Sequence, residues 1–402
     1  MGAYTGRMGE KIPLVPPALL FTAFEPSGDQ LAAPVIAQLR AAHPERPIYA
    51  IGGPRMQAAG ATLIEQTGEH AVMLLGALGY AMEHRRRIKR LAAWLKEHPV
   101  AGHIPVDSPA ANWALCKLIR TAQPTAKIMH LVTPQIWAWG GWRINKLRKL
   151  TDHVLCILPF EPAWLKARGV KGTFIGHPLY TDLASTIQEQ PKIELPDGAP
   201  KLALLPGSRS SEHQRNWPMM AQVFADLKAK HTGLTGIVAA IDDVGAERLK
   251  ALVPTRWPEG LHLRVGAVND VLRWCDAAIV VSGTATLHTA VFQKPMVAVY
   301  NVSGLTWNLL GRWLVSTRTF TLPNLLAQGP EARGRDGWII PEFVPHFGNG
   351  TPVTQAMDRL LSDADERAKQ VSALKKIGEP FLPLSFAQRA AEVIQEEIEP
   401  RH

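Results

Sequence analysis

A chain of 402 residues, 46% of them hydrophobic and 20% charged, is long enough for two ordinary α/β domains and too apolar to be disordered. Lysine and arginine total 44 against 35 acidic residues, a formal charge of +9 that suits an anionic partner: nucleic acid, a phosphorylated metabolite or an acidic membrane surface. Cys116, Cys156 and Cys275 lie far apart in apolar runs, which excludes zinc and redox spacings and reads as three buried thiols in a reducing cytoplasm.

The residues before position 18 are apolar but broken by prolines, and read as a lead-in to a first strand rather than a signal peptide. No stretch approaches the roughly 18 apolar residues of a membrane span. Strands are predicted at 18–24, 47–53, 101–107, 126–132, 152–158 and 172–178, alternating with helical patterns as in βαβ units. The segment 182–200 is polar, contains prolines and lacks an apolar period, and reads as a linker. The second half repeats the grammar, with strands at 201–207, 234–241, 261–266, 276–283 and 295–301. A last helical pattern, 386–398, is free to fold back on either domain. The expected architecture is therefore α/β: two doubly wound parallel-sheet domains, 1–181 and 201–380, with a C-terminal segment 381–402 and a cleft between the sheets' carboxyl ends.

Three kinds of strand-to-helix junction carry candidate chemistry. In "FEPSGD", Glu25, Ser27, Gly28 and Asp29 follow the first strand; taken alone, a turn glycine and a helix cap by Ser27 and Asp29 account for them completely and are the better reading. In "VDSPAANW", Asp107 ends a buried strand where a carboxylate can act as general base on a hydroxyl, or simply cap the helix that Pro109 starts. The pair "LLPGSR" and "VVSGTATLH" sets two turns and two helix starts in one domain. Gly207, Ser208, Ser282, Gly283 and Thr284 offer backbone N–H groups there, and Arg209 adds a guanidinium fork, a combination that favours a diphosphate. Neither turn matches a P-loop or a dinucleotide fingerprint.

Two further stretches have both a plain and a sharp reading. The basic run 83–98 carries Arg85, Arg86 and Arg87 around Ile88, Leu91 and Leu95; it is either a solvated helix or one that meets anionic lipid, following the uncharged stretch 71–82. "TPQIWAWGGWR" places Trp137, Trp139 and Trp142 beyond a strand end, as core packing or as a cleft wall for sugar or acyl chains. Nucleic acid lacks support, because no aromatic stacking platform accompanies the basic run.

Taken in order, "EPSGD", "GGPRMQAAG", "AVM", "VDSPAANW", "TPQIWAW", "LPFEPAW", "FIGHPL", "LALLPGSRSSE", "SGTATL" and "LPNLLA" resemble the lipid-A-disaccharide synthase family, from about residue 18 to residue 327. The resemblance implies the GT-B fold, with an acceptor and membrane-side first domain and a UDP-donor-binding second one. It implies an inverting hexosyltransferase that moves diacylglucosamine from a UDP-linked acylated donor to an acylated glucosamine phosphate acceptor, giving a β-1,6-linked disaccharide and UDP. No cofactor and no metal are implied. The implied setting is cytoplasmic, peripheral on the anionic inner face of the inner membrane of a Gram-negative bacterium, with a homodimer as a further implied partner.

By the same resemblance Asp107 is the base, Glu25 and Asp29 join it as catalytic residues on the acceptor-side loop that also carries Ser27, Arg209 meets the donor phosphates, and Asn324 lines the donor cleft. The chain departs from the family at His288, where glutamate is usual for the ribose, at Ala110 for an aspartate, at Gly140 for an arginine, and at Phe24 and Pro26 around the glutamate. Neutral histidine keeps an acceptor nitrogen for a ribose hydroxyl. These departures leave two alternatives in view: a divergent paralogue that binds UDP-sugar lipid or anionic membrane with weak turnover, and a UDP-sugar epimerase on the same fold.

Overall fold

The computed structural model describes residues 16–67, 77–183, 186–253, 256–302, 317–332 and 334–399. The uncharged stretch at 71–76 lies outside the described residues. Among the described residues, thirteen strands fall in two sheets. The first sheet holds β1 (Ala18–Thr22), β2 (Ile48–Gly52), β3 (Thr62–Gln66), β4 (Val100–Pro105), β5 (Lys127–Leu131), β6 (His153–Cys156) and β7 (Gly172–Phe174), in the order β3-β2-β1-β4-β5-β6-β7. The second holds β8 (Lys201–Leu205), β9 (Thr235–Ala240), β10 (Leu261–Val265), β11 (Ala277–Val281), β12 (Met296–Asn301) and β13 (Glu342–His346), in the order β10-β9-β8-β11-β12-β13.

All assigned strand pairs are parallel, so each central strand is covered by helices on both faces and reads as a continuous apolar run. Leu19, Phe21, Ile104 and Leu131 form the core of the first unit; Leu202, Leu204, Ile279 and Val297 belong to that of the second. Eleven of the strands lie inside or within a residue of the predicted runs. The other two, β3 and β13, are sheet edges. β3 is half-exposed along its length and β13 contains Pro345, so neither carries the apolar signature of a central strand.

The chain passes between the units twice. Tyr180, on the helix Pro178–Leu183, stacks face to face on Phe381 in the second unit, with ring centroids 4.2 Å apart. The segment expected as a linker is laid along the second unit: Arg273 donates to the Thr186 carbonyl at 2.9 and 2.6 Å, and the Lys192 amide donates to Asp270 at 3.1 Å. Beyond Phe381 the chain returns, and the helix Phe386–Ile398 buries Phe386, Val393 and Ile394 in the first unit's core against the helix Pro26–Ala42. All three cysteines are buried and free.

Candidate active site

In each sheet the first strand of the unit has its neighbours in sequence on one side and a later strand on the other: β1 lies between β2 and β4, β8 between β9 and β11. Helices leave in opposite directions at these switch points, so a crevice opens at the strands' carboxyl ends. The loops singled out in the sequence are the ones that flank the two crevices.

In the first unit, the loop after β1 meets the loop after β4, where Ser108 Oγ donates to Glu25 Oε1 at 2.8 Å. Asp107 and Ser108 have φ of 44° and 28°. Left-handed backbone at two consecutive non-glycine residues is strained, and such strain persists only where surrounding contacts impose it. Asp107 is half-buried, and that burial, with the Glu25 charge beside it, raises its carboxyl above the usual aspartate range against the pull of the Ser108 amide. A carboxylate with raised proton affinity, at a cleft, suits a general base. The helix Pro109–Ala122 begins after Ser108, so Asp107 is not its cap.

The other acidic residues of the first loop have different duties. Glu25 is exposed and occupies the N-cap position of the helix Pro26–Ala42 without a side-chain cap bond; Ser27 is exposed beside it. Asp29 is buried, and its oxygens accept the amides of Gly53, Arg55 and Met56 at 3.0–3.1 Å. It therefore caps the neighbouring helix Pro54–Ala58 instead of its own, and holds the β2 loop rather than a reacting atom. Gly28 lets its helix sit close to the sheet, since a Cβ there would stand 3.1 Å from that of Ala23.

In the second unit, the loops after the adjacent strands β8 and β11 lie side by side. Gly207 turns the first loop with φ 96°. Glu212, in the first turn of the helix Ser210–Lys230, accepts the amides of Ser208 and Arg209 at 2.9 and 3.1 Å and Arg209 Nη1 at 3.0 Å. Two of the loop's N–H groups are thus already occupied by the protein's own carboxylate. The Arg209 side chain is nonetheless 79% exposed, so its remaining donors face solvent. Gly283 (φ 151°) precedes the helix Thr284–Val291, and nothing lies within 4 Å of where its Cβ would be. Thr284 is exposed, and Ser282 Oγ donates to the Phe320 carbonyl at 3.2 Å. The open edge of both loops is backbone and Arg209.

His288 is half-buried, and burial pushes its imidazole down to about 4, so it is neutral at physiological pH. Its Nε2 lies 2.8 Å from Asn269 Oδ1; an amide oxygen only accepts, so Nε2 carries the proton and Nδ1 keeps the lone pair. Asn269 follows β10 in a strand–glycine–helix junction of the same kind as the others, and the sequence pattern did not single it out. Its neighbours Gly266, Ala267 and Asp270 line, with Thr186 and Arg273, an open pocket of about 250 Å³.

Asn324 and Trp137 stand differently from the expectation. The Asn324 amide is buried and saturated: Nδ2 donates to Ile340 O (3.1 Å) and Glu342 Oε2 (3.0 Å), while Oδ1 accepts the amides of Ile339 (2.9 Å) and Ile340 (3.1 Å). It ties the helix Leu322–Gln328 to the edge strand β13 and has no donor or acceptor left for a ligand. Trp137 is buried against Leu158 and against Leu325 of that helix, in a cluster shared by the two units, with its indole N–H bonded to Glu161 at 3.1 Å. It packs the interface and does not face an acyl chain. Glu161 also accepts the amides of Ile157 and Leu158; burial outweighs these bonds and raises its carboxyl to about 7.

Trp139 and Trp142 are the exposed tryptophans of this loop. Gly140, with φ 67°, leaves space that Arg143 fills: its guanidinium lies 3.7 Å over the Trp139 ring and donates to the Trp139 carbonyl at 2.8 Å. The Arg143 guanidinium thus occupies the space that a side chain at position 140 would take. On the basic helix Ala77–Trp94, Arg85 and Arg86 are exposed and Leu91 is buried. Arg87 is turned inward, paired with Glu65 at 2.7 Å and set 5.1 Å over the ring of Phe24, so it is not a lipid contact. Among the described residues, no helix is long and apolar enough to cross a membrane, and no group of three or more His, Cys, Asp or Glu is placed to hold a metal.

Two doubly wound units with their carboxyl edges meeting at Trp137 and Leu325 define the GT-B fold class. Solved structures share the fold: a glycosyltransferase from Rickettsia africae superposes with a TM-score of 0.58 at 14% identity over 96% of this chain and 99% of its own. The calicheamicin glycosyltransferase CalG4 gives 0.60 at 14% identity over 95% and 98%. The sequence profile of the lipid-A-disaccharide synthetases matches residues 19–393. A lipid-A-disaccharide synthase of Burkholderia pseudomallei is 34% identical over 96% of this chain and 98% of its own length. The chain belongs to the lipid-A-disaccharide synthase family and is a hexosyltransferase.

Proposed function

We propose that the enzyme transfers diacylglucosamine from UDP-2,3-diacylglucosamine to the 6-hydroxyl of 2,3-diacylglucosamine 1-phosphate in one inverting displacement. The observation that carries this reading is Asp107, a half-buried carboxyl of raised proton affinity held in strained backbone at the first unit's switch point. As base it takes the proton of the acceptor hydroxyl while the sugar's bond to the diphosphate breaks. Charge developing on UDP then falls on Arg209 and the open helix starts at Ser210 and Thr284, where fixed dipoles need no reorganisation. This reading assigns the diphosphate charge to protein groups and makes the displacement metal-independent. His288 Nδ1 accepts from a ribose hydroxyl, and Arg85, Arg86 and the exposed Trp139 and Trp142 meet an anionic membrane surface that supplies both acylated substrates.

The test is to incubate the purified protein with both acylated sugars, with and without a chelator, and to follow products by mass spectrometry. Disaccharide and UDP should appear in equal amounts in both conditions. UDP without disaccharide would mean hydrolysis or another acceptor, and no UDP alongside an active relative would leave a binding protein.

Arg209→Ala tests the cradle separately. Loss of a charge-assisted contact to phosphate should weaken UDP binding by about 10- to 100-fold, the equivalent of ~1.5–3 kcal/mol. Calorimetric titration with UDP and with uridine reads it: uridine affinity should stay constant, and an unchanged UDP affinity would remove Arg209 from the site.

A further inference from the structure

Behind the strained Asp107 turn lies a polar chain buried in the first unit, where apolar contacts are the rule. Asn112 Nδ2 points at three successive carbonyls of that turn, Val106 and Asp107 at 3.2 Å and Ser108 at 3.4 Å. Carbonyls only accept, so the amide nitrogen must face them and Oδ1 must face away. Oδ1 accepts the hydroxyl of Thr22 at 2.6 Å, and the Thr22 oxygen in turn lies 2.9 Å from His103 Nε2. A hydroxyl has one proton, which Thr22 gives to Asn112; it therefore accepts from His103, which carries its proton on Nε2. Asn112, Thr22 and His103 are each fully buried. Such a network is costly to bury, and its members sit on β1, on β4 and on the helix after β4, the elements that meet at this crevice.

We propose that Asn112, Thr22 and His103 act as positioning residues that hold the Asp107 carboxyl at the reacting geometry. The proposal rests on the reading of Asp107 as the base. Two residues with positive φ would relax toward ordinary backbone without an imposed restraint, and the two N–H groups of Asn112, shared among the three carbonyls, are that restraint. Thr22 and His103 fix which way the amide points, so the restraint is set from inside the sheet. Burial pushes His103 down to about 3 and His130, behind it, to about 4, so both stay neutral through the working range and the chain does not titrate. Glu25 is the charged group that faces Asp107 from β1's loop.

The experiment compares Thr22→Val, Thr22→Ser, Asn112→Ala and Asp107→Asn in the full chain, with kcat, KM and the pH dependence of kcat measured on the acylated substrates. Thr22→Val keeps the shape and removes the hydroxyl. It and Asn112→Ala should lower kcat on the order of 10²-fold, the loss expected for a misplaced reacting group, with KM for the donor within about threefold. Thr22→Ser, which restores the hydroxyl, should recover most of the turnover. The acid limb of the kcat profile should move to lower pH in Thr22→Val, because a released carboxyl is better solvated. A purely structural role would reduce the amount of active enzyme and leave the limb in place. If Asn112→Ala does not fold, Thr22→Val decides. The clamp is overturned if Asp107→Asn is inactive while folded Thr22→Val keeps its kcat and limb; if Asp107→Asn stays active, the base assignment itself fails and the clamp with it.

Discussion

Replacing Asp107 with Asn should lower turnover by about 10²- to 10⁴-fold, the contribution of a positioned general base, without loss of stability. Asparagine has the same shape and tolerates left-handed backbone, so the turn at φ 44° should survive. The carboxyl's folded-state proton affinity is raised by burial and by Glu25, so its ionised form opposes folding. The sign follows: its favourable contribution is present below the unfolded pKa and is lost as pH rises through the higher folded value. At neutral pH the amide removes that cost, and the melting temperature should be equal or higher. In the parent enzyme, turnover must rise with pH through the raised Asp107 value, giving an acid limb above the ordinary carboxylate range; the variant should lack it. Steady-state assays across pH, with thermal melts of both proteins, test this. A variant within tenfold of the parent would remove the base.

Asn324→Ala should act the other way, on stability more than on chemistry. Removing this amide strands the Ile339 and Ile340 amides, the Ile340 carbonyl and one bond to the buried Glu342. Unsatisfied buried groups cost about 1–3 kcal/mol each and relax only in part, so a loss on the order of 3–5 kcal/mol is expected. That corresponds to a melting temperature lower by roughly 10 °C for a unit of this size. Glu342 also accepts the Phe320 and Thr321 amides and the Thr321 hydroxyl, so the helix carrying Leu325 loosens from β13, and with it the seat of Trp137. UDP affinity per folded molecule should stay within a few-fold. A drop in UDP affinity at unchanged melting temperature would instead make Asn324 a ligand.

The strand grammar, the two domains and the family were legible in the sequence, because buried parallel strands must be continuous apolar runs and their loops must carry glycine, serine or aspartate to start the next helix. The edge strands β3 and β13 escaped, since a strand half in water or interrupted by proline has no such run. The positions of Asp107 and Arg209 at the two crevices were legible because a polar residue in the loop after a strand's carboxyl end has a place dictated by topology alone.

What the tertiary structure decided was which polar side chains remain open. Asp29, Asn324, Arg87 and Trp137 stood out in the sequence beside Asp107 and Arg209, yet each is already engaged by partners distant in sequence or in another element: the β2 loop, β13, Glu65 and Glu161. A hydrogen bond or an ion pair to a residue 15 or more positions away leaves no periodicity to read. The same holds for Thr22 and His103, which look like ordinary strand residues and meet Asn112 only because β1 and β4 are neighbours in the sheet. Composition and spacing settle where a side chain leaves the backbone; only packing settles whether it is already bonded when a substrate arrives.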